Sequence, residues 1–303
     1  MKLKAFTTAP ILAIFVYLLT LCAERIIAGL DMNVNAYLLT SGIIQVVTYL
    51  LPLALYGLIF GNLRPARMRL TAPSAVSVPT QILLAVILFI GTSLISMLSI
   101  RLGFSAPQDG IASGIGAPSA LVLLIFAVIP AVCEEILFRG VIMSSFEPCG
   151  VATAITATSV LFAAAHMSLE DFPVYFFASL ILCFAVYVSR SVVASIIIHS
   201  LYNISALAFG DYINGIAAHL ESFSLLFIAL LFSLWILAAI ALTEASRVYR
   251  SYAEKGLSSA YTPQKLTGAQ MLKGAAAVYF SLPFLLAVVI FIAVVVFSMQ
   301  NIS

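Results

Sequence analysis

Two glutamates and an arginine interrupt the apolar stretch VIPAVCEEILFRGVI at positions 128–142. An unpaired ionisable side chain in a membrane helix costs about 2.5 to 3.5 kcal/mol. Glu135 and Arg139 are four residues apart, so an ion pair along one helical turn offsets part of this cost. Glu134 is turned about 100° away from Glu135. It is therefore free to face another helix and to take part in chemistry there.

Two histidines and an asparagine follow at positions that can complete a hydrolytic set. His166 ends the stretch LFAAAH, and HSLYN places His199 and Asn203 one turn apart on one helix face. A carboxylate can deprotonate a water, while imidazole and carboxamide groups can stabilise an oxyanion. Any one of these residues could instead simply bridge two helices. Their occurrence together in one segment favours a shared site, whereas His219, beside Glu221, is expected to be solvated.

The composition indicates which elements position these residues, since 63% of the 303 residues are hydrophobic and 9% are charged. That is typical of a membrane protein, in which only helices satisfy their own backbone at this length. We predict an all-α, polytopic transmembrane helix bundle of about nine spans, an eight-helix core plus one, forming a single integral membrane domain over 1–303. The catalytic helices lie within 119–209. The predicted spans are 5–22, 36–60, 80–100, 119–146, 151–166, 172–188, 192–209, 222–242 and 272–297.

Proline and the basic residues refine this prediction. Pro130 cannot donate a helical hydrogen bond and should open or kink the wall near Glu134, admitting water. A cytoplasmic N-terminus places most Lys and Arg residues on the inner side and leaves Arg25 and Arg101 on the outer side. We therefore expect a multi-pass protein of the plasma membrane. The net charge of +2 is interpreted as an insertion signal, with no nucleic-acid partner expected.

The three motifs EEILFR, FAAAH and HSLYN, each on its own predicted helix, resemble those of a known family. It comprises the CAAX prenyl protease and bacteriocin-processing membrane proteins (CPBP, or Abi), which include the type II CAAX prenyl endopeptidases. The resemblance extends over about 128–205. It implies an intramembrane endopeptidase that cleaves a membrane-associated protein or peptide, whether prenylated or not.

The resemblance also implies a role for each motif residue. Glu134 would deprotonate a water that His166 also holds. His199 and Asn203 would donate hydrogen bonds to the tetrahedral oxygen. Glu135 and Arg139 would support the site by orienting Glu134. Phe162, from the second motif, would only pack.

The sequence leaves the cofactor and the side of the membrane open. Glu134, His166 and His199 would make a His-His-Glu set acceptable for catalytic zinc, but the chain contains no H-E-x-x-H motif. The same side chains could act directly on water, without a metal. At 1.5 Å per residue, His166 is about 25 Å from Cys149, deeper than its proposed partners. Counting therefore does not tell to which face the site opens.

Two other classes of function remain as alternatives. The first is a non-proteolytic membrane scaffold or bacteriocin-immunity protein with the same motifs. The second is a transporter with a proton relay, although such proteins have paired repeats with broken helices in both halves, and here the polar residues lie in one segment. An aspartyl protease is disfavoured because AFGDY at 208–212 has alanine where that motif needs glycine, so Asp211 is expected to end a helix.

Overall fold

The computed structural model describes residues 5–60, 68–104, 119–219, 225–255 and 266–300. These residues form helices, and no strand occurs among them, which confirms the predicted all-α class. In chain order the helices are α1 (Ala5–Ala28), α2 (Val34–Phe60), α3 (Val78–Arg101), α4 (Ala120–Cys149), α5 (Val151–Ala165), α6 (Phe172–Ser189), α7 (Val192–His219), α8 (Leu225–Glu254), α9 (Gly268–Tyr279) and α10 (Leu282–Gln300).

Seven helices in the described ranges are long and apolar enough to cross a membrane, and the bent pair α9 and α10 would make an eighth. The chain is therefore a polytopic helical membrane bundle. The helices predicted at 5–22, 192–209 and 222–242 continue 6, 10 and 12 residues beyond their predicted ends. Two other predicted spans differ in kind. Helix α5 has 15 residues, fewer than the roughly 20 that cross a bilayer without tilt. The run at 272–297 is two helices that meet at 54°, because Pro283 cannot donate a hydrogen bond to the preceding turn.

Helix α4, which carries the EEILFR motif, is irregular along its length. An α-helical segment at Ile129–Glu135 lies between wider π-type turns at Leu124–Val128 and Ile136–Met143. Pro130 stands in the first turn of the α-helical segment, where its missing N–H is tolerated. The predicted break at Pro130 thus takes the form of a π turn before it, a feature often found at functional sites.

The two largest apolar clusters among the described residues join most of the helices. The larger one is built mainly from α1, α2, α4, α5 and α10, and its centre includes Leu137 and Phe162. The smaller one joins α3, α6, α7 and α8 around Leu88 and Leu182. Helix α4 packs against α2, α5 and α7, so its charged residues face other helices, away from the outer surface.

Candidate active site

Glu135 is the centre of a buried charge cluster that joins α4, α6 and α7. Its Oε1 accepts hydrogen bonds from Arg139 Nη1 and from His199 Nδ1, each at 2.8 Å. Arg139 Nη2 also donates to Ser179 Oγ at 2.9 Å. The exposed fractions of Glu135 and Arg139 are 0% and 1%. The structure therefore shows the ion pair expected from the i,i+4 spacing and adds His199 as a second donor to the same carboxylate.

Glu134 points away from this pair, toward the other ring nitrogen of His199. Its Oε2 lies 4.0 Å from His199 Nε2, which is longer than a direct hydrogen bond. Its Oε1 accepts a bond from Gln45 Nε2 on α2 at 3.4 Å, and the Tyr49 hydroxyl lies near the same carboxylate. Glu134 is buried, and its carboxylate stands between α2 and α7.

His166 lies at the C-terminal end of α5, next to the same cluster. Its Nδ1 donates to the Phe162 carbonyl at 3.0 Å, because a carbonyl can only accept, and this leaves Nε2 as the acceptor nitrogen. Its ring stacks on Tyr175 with 3.6 Å between ring centroids. The Phe162 ring contacts both imidazoles, with centroids 5.0 Å from His166 and 6.0 Å from His199, and the Arg139 guanidinium lies 4.4 Å from it. Phe162 therefore packs between the two histidines that the motifs predict.

Asn203 lies one turn after His199 and makes a contact that sequence reasoning did not predict. Its Nδ2 donates to the backbone carbonyl of Ala127 at 3.3 Å, at the π turn that precedes Pro130. The carboxamide is thus held against α4, seven residues before Glu134. An amide nitrogen has two hydrogens, so this bond occupies one of its two donor positions.

The residues predicted to hold zinc, Glu134, His166 and His199, do not form a three-ligand site as they stand. Across the described ranges, no group of three or more His, Cys, Asp or Glu side chains is placed to hold a metal ion. The Nδ1 atoms of both histidines already donate to oxygen atoms. Zinc therefore stays a prediction, and the chemistry below uses the side chains themselves.

Sequence reasoning missed Gln45, Tyr49 and Ser179, all of which contact the charged residues. None of them ionises near neutral pH, so a search for ionisable groups at depth passes over them. A usable signal exists in α2, where Gln45 and Tyr49 are four residues apart in an apolar span and so share one face. The side chains of Asp211 and His219 lie outside the described residues, as does Glu221.

Comparison with known proteins agrees with the arrangement of the motifs. Residues 116–205 match the family model described as type II CAAX prenyl endopeptidase Rce1-like. That segment contains α4, α5, α6 and the first half of α7, with every motif residue named above. Neither the curated proteins nor the solved structures gave a match. The match over 116–205 supports the resemblance of this part of the chain to the CAAX protease and bacteriocin-processing family, which includes the type II CAAX prenyl endopeptidases.

Proposed function

We propose that this protein is an intramembrane endopeptidase that hydrolyses a peptide bond of a membrane-associated protein or peptide, using Glu134 to activate water. The observation that carries the proposal is the separation of 4.0 Å between Glu134 Oε2 and His199 Nε2. One water can bridge two polar atoms at this distance, since it reaches both with ordinary hydrogen bonds. The surrounding side chains are buried, so their electrostatic interactions are stronger there than in bulk water.

In the proposed reaction, Glu134 accepts a proton from the water, whose oxygen attacks the carbonyl carbon of the scissile amide. The acceptor nitrogen of His166 accepts a hydrogen bond from the second hydrogen of that water and so helps to orient it. As the tetrahedral intermediate collapses, Glu134 returns its proton to the leaving amine. One carboxylate thus serves as general base and then as general acid.

The developing oxyanion requires donors, and we propose His199 and Asn203 for this role. His199 already donates through Nδ1 to Glu135, so it donates through Nε2 when both ring nitrogens carry a proton. The carboxylate of Glu135 stabilises that charged imidazolium. Asn203 keeps one amide hydrogen beyond the bond to Ala127. One oxyanion donor typically contributes about 2.7 to 4 kcal/mol to transition-state stabilisation.

Our first prediction concerns Glu134→Gln, which keeps the shape of the side chain and removes the base. Wild type and variant are reconstituted in liposomes with a panel of membrane peptides, some prenylated and some not. We expect a cleavage product from wild type and a rate lower by about a hundredfold or more in the variant, because a general base contributes about 10² to 10⁴ and the neutral amide of glutamine leaves the water unactivated. Products are measured by mass spectrometry.

The matched control is Glu244→Gln, a glutamate of α8 that pairs with Arg247 on an exposed surface. It should cleave as wild type does. Cleavage by Glu134→Gln at the wild-type rate would contradict the mechanism. An intact cellular function in that variant would favour the scaffold or immunity role. Parallel reactions with a chelator test the zinc prediction, since a required metal would make wild-type cleavage chelator-sensitive.

A further inference from the structure

Helix α2 brings two uncharged polar side chains to Glu134 from outside the segment that matches the family. Gln45 and Tyr49 are four residues apart and share one face of α2. Gln45 Nε2 donates to Glu134 Oε1 at 3.4 Å, and the Tyr49 hydroxyl lies near the same carboxylate. The other oxygen, Oε2, faces His199. One carboxylate oxygen of Glu134 therefore accepts a bond from α2, and the other faces α7.

The environment of α2 explains why these polar groups point inward. Ile43, Val47 and Leu51 on its outer face are 64%, 45% and 44% exposed, whereas Tyr49 is 6% exposed. An amide or a hydroxyl buried in an apolar surrounding is costly unless it is hydrogen-bonded. The Glu134 carboxylate supplies an acceptor for Gln45, and hydrogen bonds to an ionised group are roughly twice as strong as neutral ones. The stability of α2 and the orientation of Glu134 are thus coupled.

The packing of α2 against α4 sets the distance between Gln45 and Glu134. A Cβ atom on Gly42 would lie 3.4 Å from Ile125, within the π turn of α4. That is an ordinary van der Waals separation, so the backbone of α2 at Gly42 lies directly against the Ile125 side chain. Gln45 follows Gly42 by three residues and so lies on the same side of α2. The packing of Gly42 against the π turn therefore also places Gln45 near Glu134.

Two other buried residues of the same types provide a contrast. Gln81 on α3 donates to the Ala185 carbonyl, also at 3.4 Å, and Tyr17 on α1 donates to the Leu161 carbonyl at 2.7 Å. Both bonds link one helix to the backbone of another, which is the ordinary use of polar residues in a membrane bundle. Gln45 and Tyr49 differ because their acceptor is the carboxylate proposed as the catalytic base.

We propose that Gln45 and Tyr49 are positioning residues that hold the Glu134 carboxylate so that its Oε2 faces the water site next to His199. This inference rests on the proposed function of Glu134. It also implies that the active site extends beyond 116–205, because α2 completes it. A base that rotates away from the bridging water loses its alignment for proton transfer, even though its chemistry is unchanged.

The kinetic test uses Gln45→Leu and Tyr49→Phe, which keep side-chain size and remove the donor. For the peptide that wild type cleaves, we expect kcat to fall about tenfold or more in each variant, as for the loss of one hydrogen bond to a charged group. KM should stay within about twofold, because neither residue is proposed to bind substrate. Gln81→Leu and Tyr17→Phe are the matched controls and should keep wild-type kcat. Unchanged kcat in both α2 variants, with normal cleavage by wild type, would overturn the inference while leaving the proposed function intact.

A second readout does not depend on cleavage. A bilayer-soluble carbodiimide forms a stable adduct with a buried carboxyl group, and mass spectrometry of the peptide that contains Glu134 gives the rate. A carboxylate held by two donors should react slowly, so Gln45→Leu and Tyr49→Phe should raise the rate at Glu134 about threefold or more, with no rise in the two controls. Equal rates in all variants, including no reaction in any, would overturn the inference. A rise in the α2 variants together with no cleavage of any peptide by wild type would support the positioning contact and count against the proposed function.

Discussion

Glu135 determines how the other residues of the site are oriented. Arg139 and His199 both donate to its Oε1, and the side chain is fully buried. A carboxylate removed from water in this way is tolerated when charged partners compensate it. By fixing Nδ1 of His199, Glu135 also sets the direction of Nε2 toward Glu134. The second glutamate of the motif is thus the residue that orients the histidine.

Our second prediction follows from this dependence and concerns Arg139→Met. The change leaves the buried Glu135 without its guanidinium partner, and we expect a loss of about 3 to 5 kcal/mol in the free energy of unfolding. Denaturant unfolding in detergent measures it. The control is Arg247→Met, whose pair with Glu244 is partly exposed and should contribute less than about 1 kcal/mol. A similar loss for both variants would contradict the role of Arg139 in the cluster.

Our third prediction separates two roles for Asn203. If its second amide hydrogen stabilises the oxyanion, Asn203→Ala lowers kcat by about a hundredfold or more. The bond to Ala127 also disappears, so we expect a modest fall in melting temperature. Kinetics and thermal unfolding of the same preparation measure both effects. A lower melting temperature with unchanged kcat would show that Asn203 only bridges α7 and α4.

The contacts of this site were predictable where they are local. The Glu135–Arg139 pair follows from a spacing of four residues on one helix. His199 is 64 residues beyond Glu135, and Gln45 is 89 residues before Glu134, so no helical periodicity connects them. Asn203 was expected beside His199. Its bond to a backbone carbonyl could not be predicted, because every residue has a carbonyl whatever its side chain. Contacts between helices depend on how the helices pack, which the sequence pattern does not specify.

At the scale of the elements, the apolar runs predicted the helices well and their internal geometry less well. The start and end of most predicted spans lie within a few residues of the helices observed. The π turns of α4 and the bend between α9 and α10 change the directions in which side chains point. They do not change the hydropathy of the sequence, from which the helices were predicted. Helix α5 begins and ends where the sequence predicted, so the count of residues along it holds. The Phe162 ring contacts both His166 and His199, which shows that the end of α5 reaches the site.

Our fourth prediction concerns the contact between α9 and the end of α4. A Cβ atom on Gly274 would overlap the Cys149 carbonyl oxygen. We expect Gly274→Ala to move α9 away and to destabilise the protein by about 1 to 3 kcal/mol, as overpacking does. Thermal unfolding measures the change. Gly268→Ala on the same helix has nothing within 4 Å and should be neutral; a neutral Gly274→Ala would show that this contact is dispensable.

At the scale of the whole molecule, several segments predicted to lie on the inner side meet at one end of the bundle. The Arg69 side chain pairs with Glu147 at the end of α4, with 2.7 Å between Nη2 and Oε1. The Arg69 carbonyl accepts a bond from Val192 N at the start of α7. Arg190, in the turn between α6 and α7, lies over the Tyr252 ring of α8. These contacts agree with a topology in which the connectors from α2 to α3, α4 to α5 and α6 to α7 share one face.

Our fifth prediction tests that orientation. With a cytoplasmic N-terminus, the α2–α3 connector lies inside and the α1–α2 connector outside. We expect Asp31→Cys to react with a membrane-impermeant maleimide in intact cells, whereas Ala72→Cys, also at an exposed position, reacts only after lysis. The native protein gives the background from its own cysteines. The reverse pattern would place the N-terminus outside.

The wide turns of α4 make the number of residues, as well as their identity, a determinant of the site. A π turn contains more residues than an α-helical turn, so deleting Ile125 could let 124–128 close as ordinary α-helix. Because the wider turn takes up its extra residue within one turn, the later residues of α4 would keep nearly the same direction relative to its start. Deleting one residue of 131–133, inside the α-helical segment, has no wide turn to absorb it and would rotate Glu134 and Glu135 by about 100° away from their partners on α2 and α7. Loss of one residue at 124–128 should therefore be tolerated better than loss of one residue at 131–133.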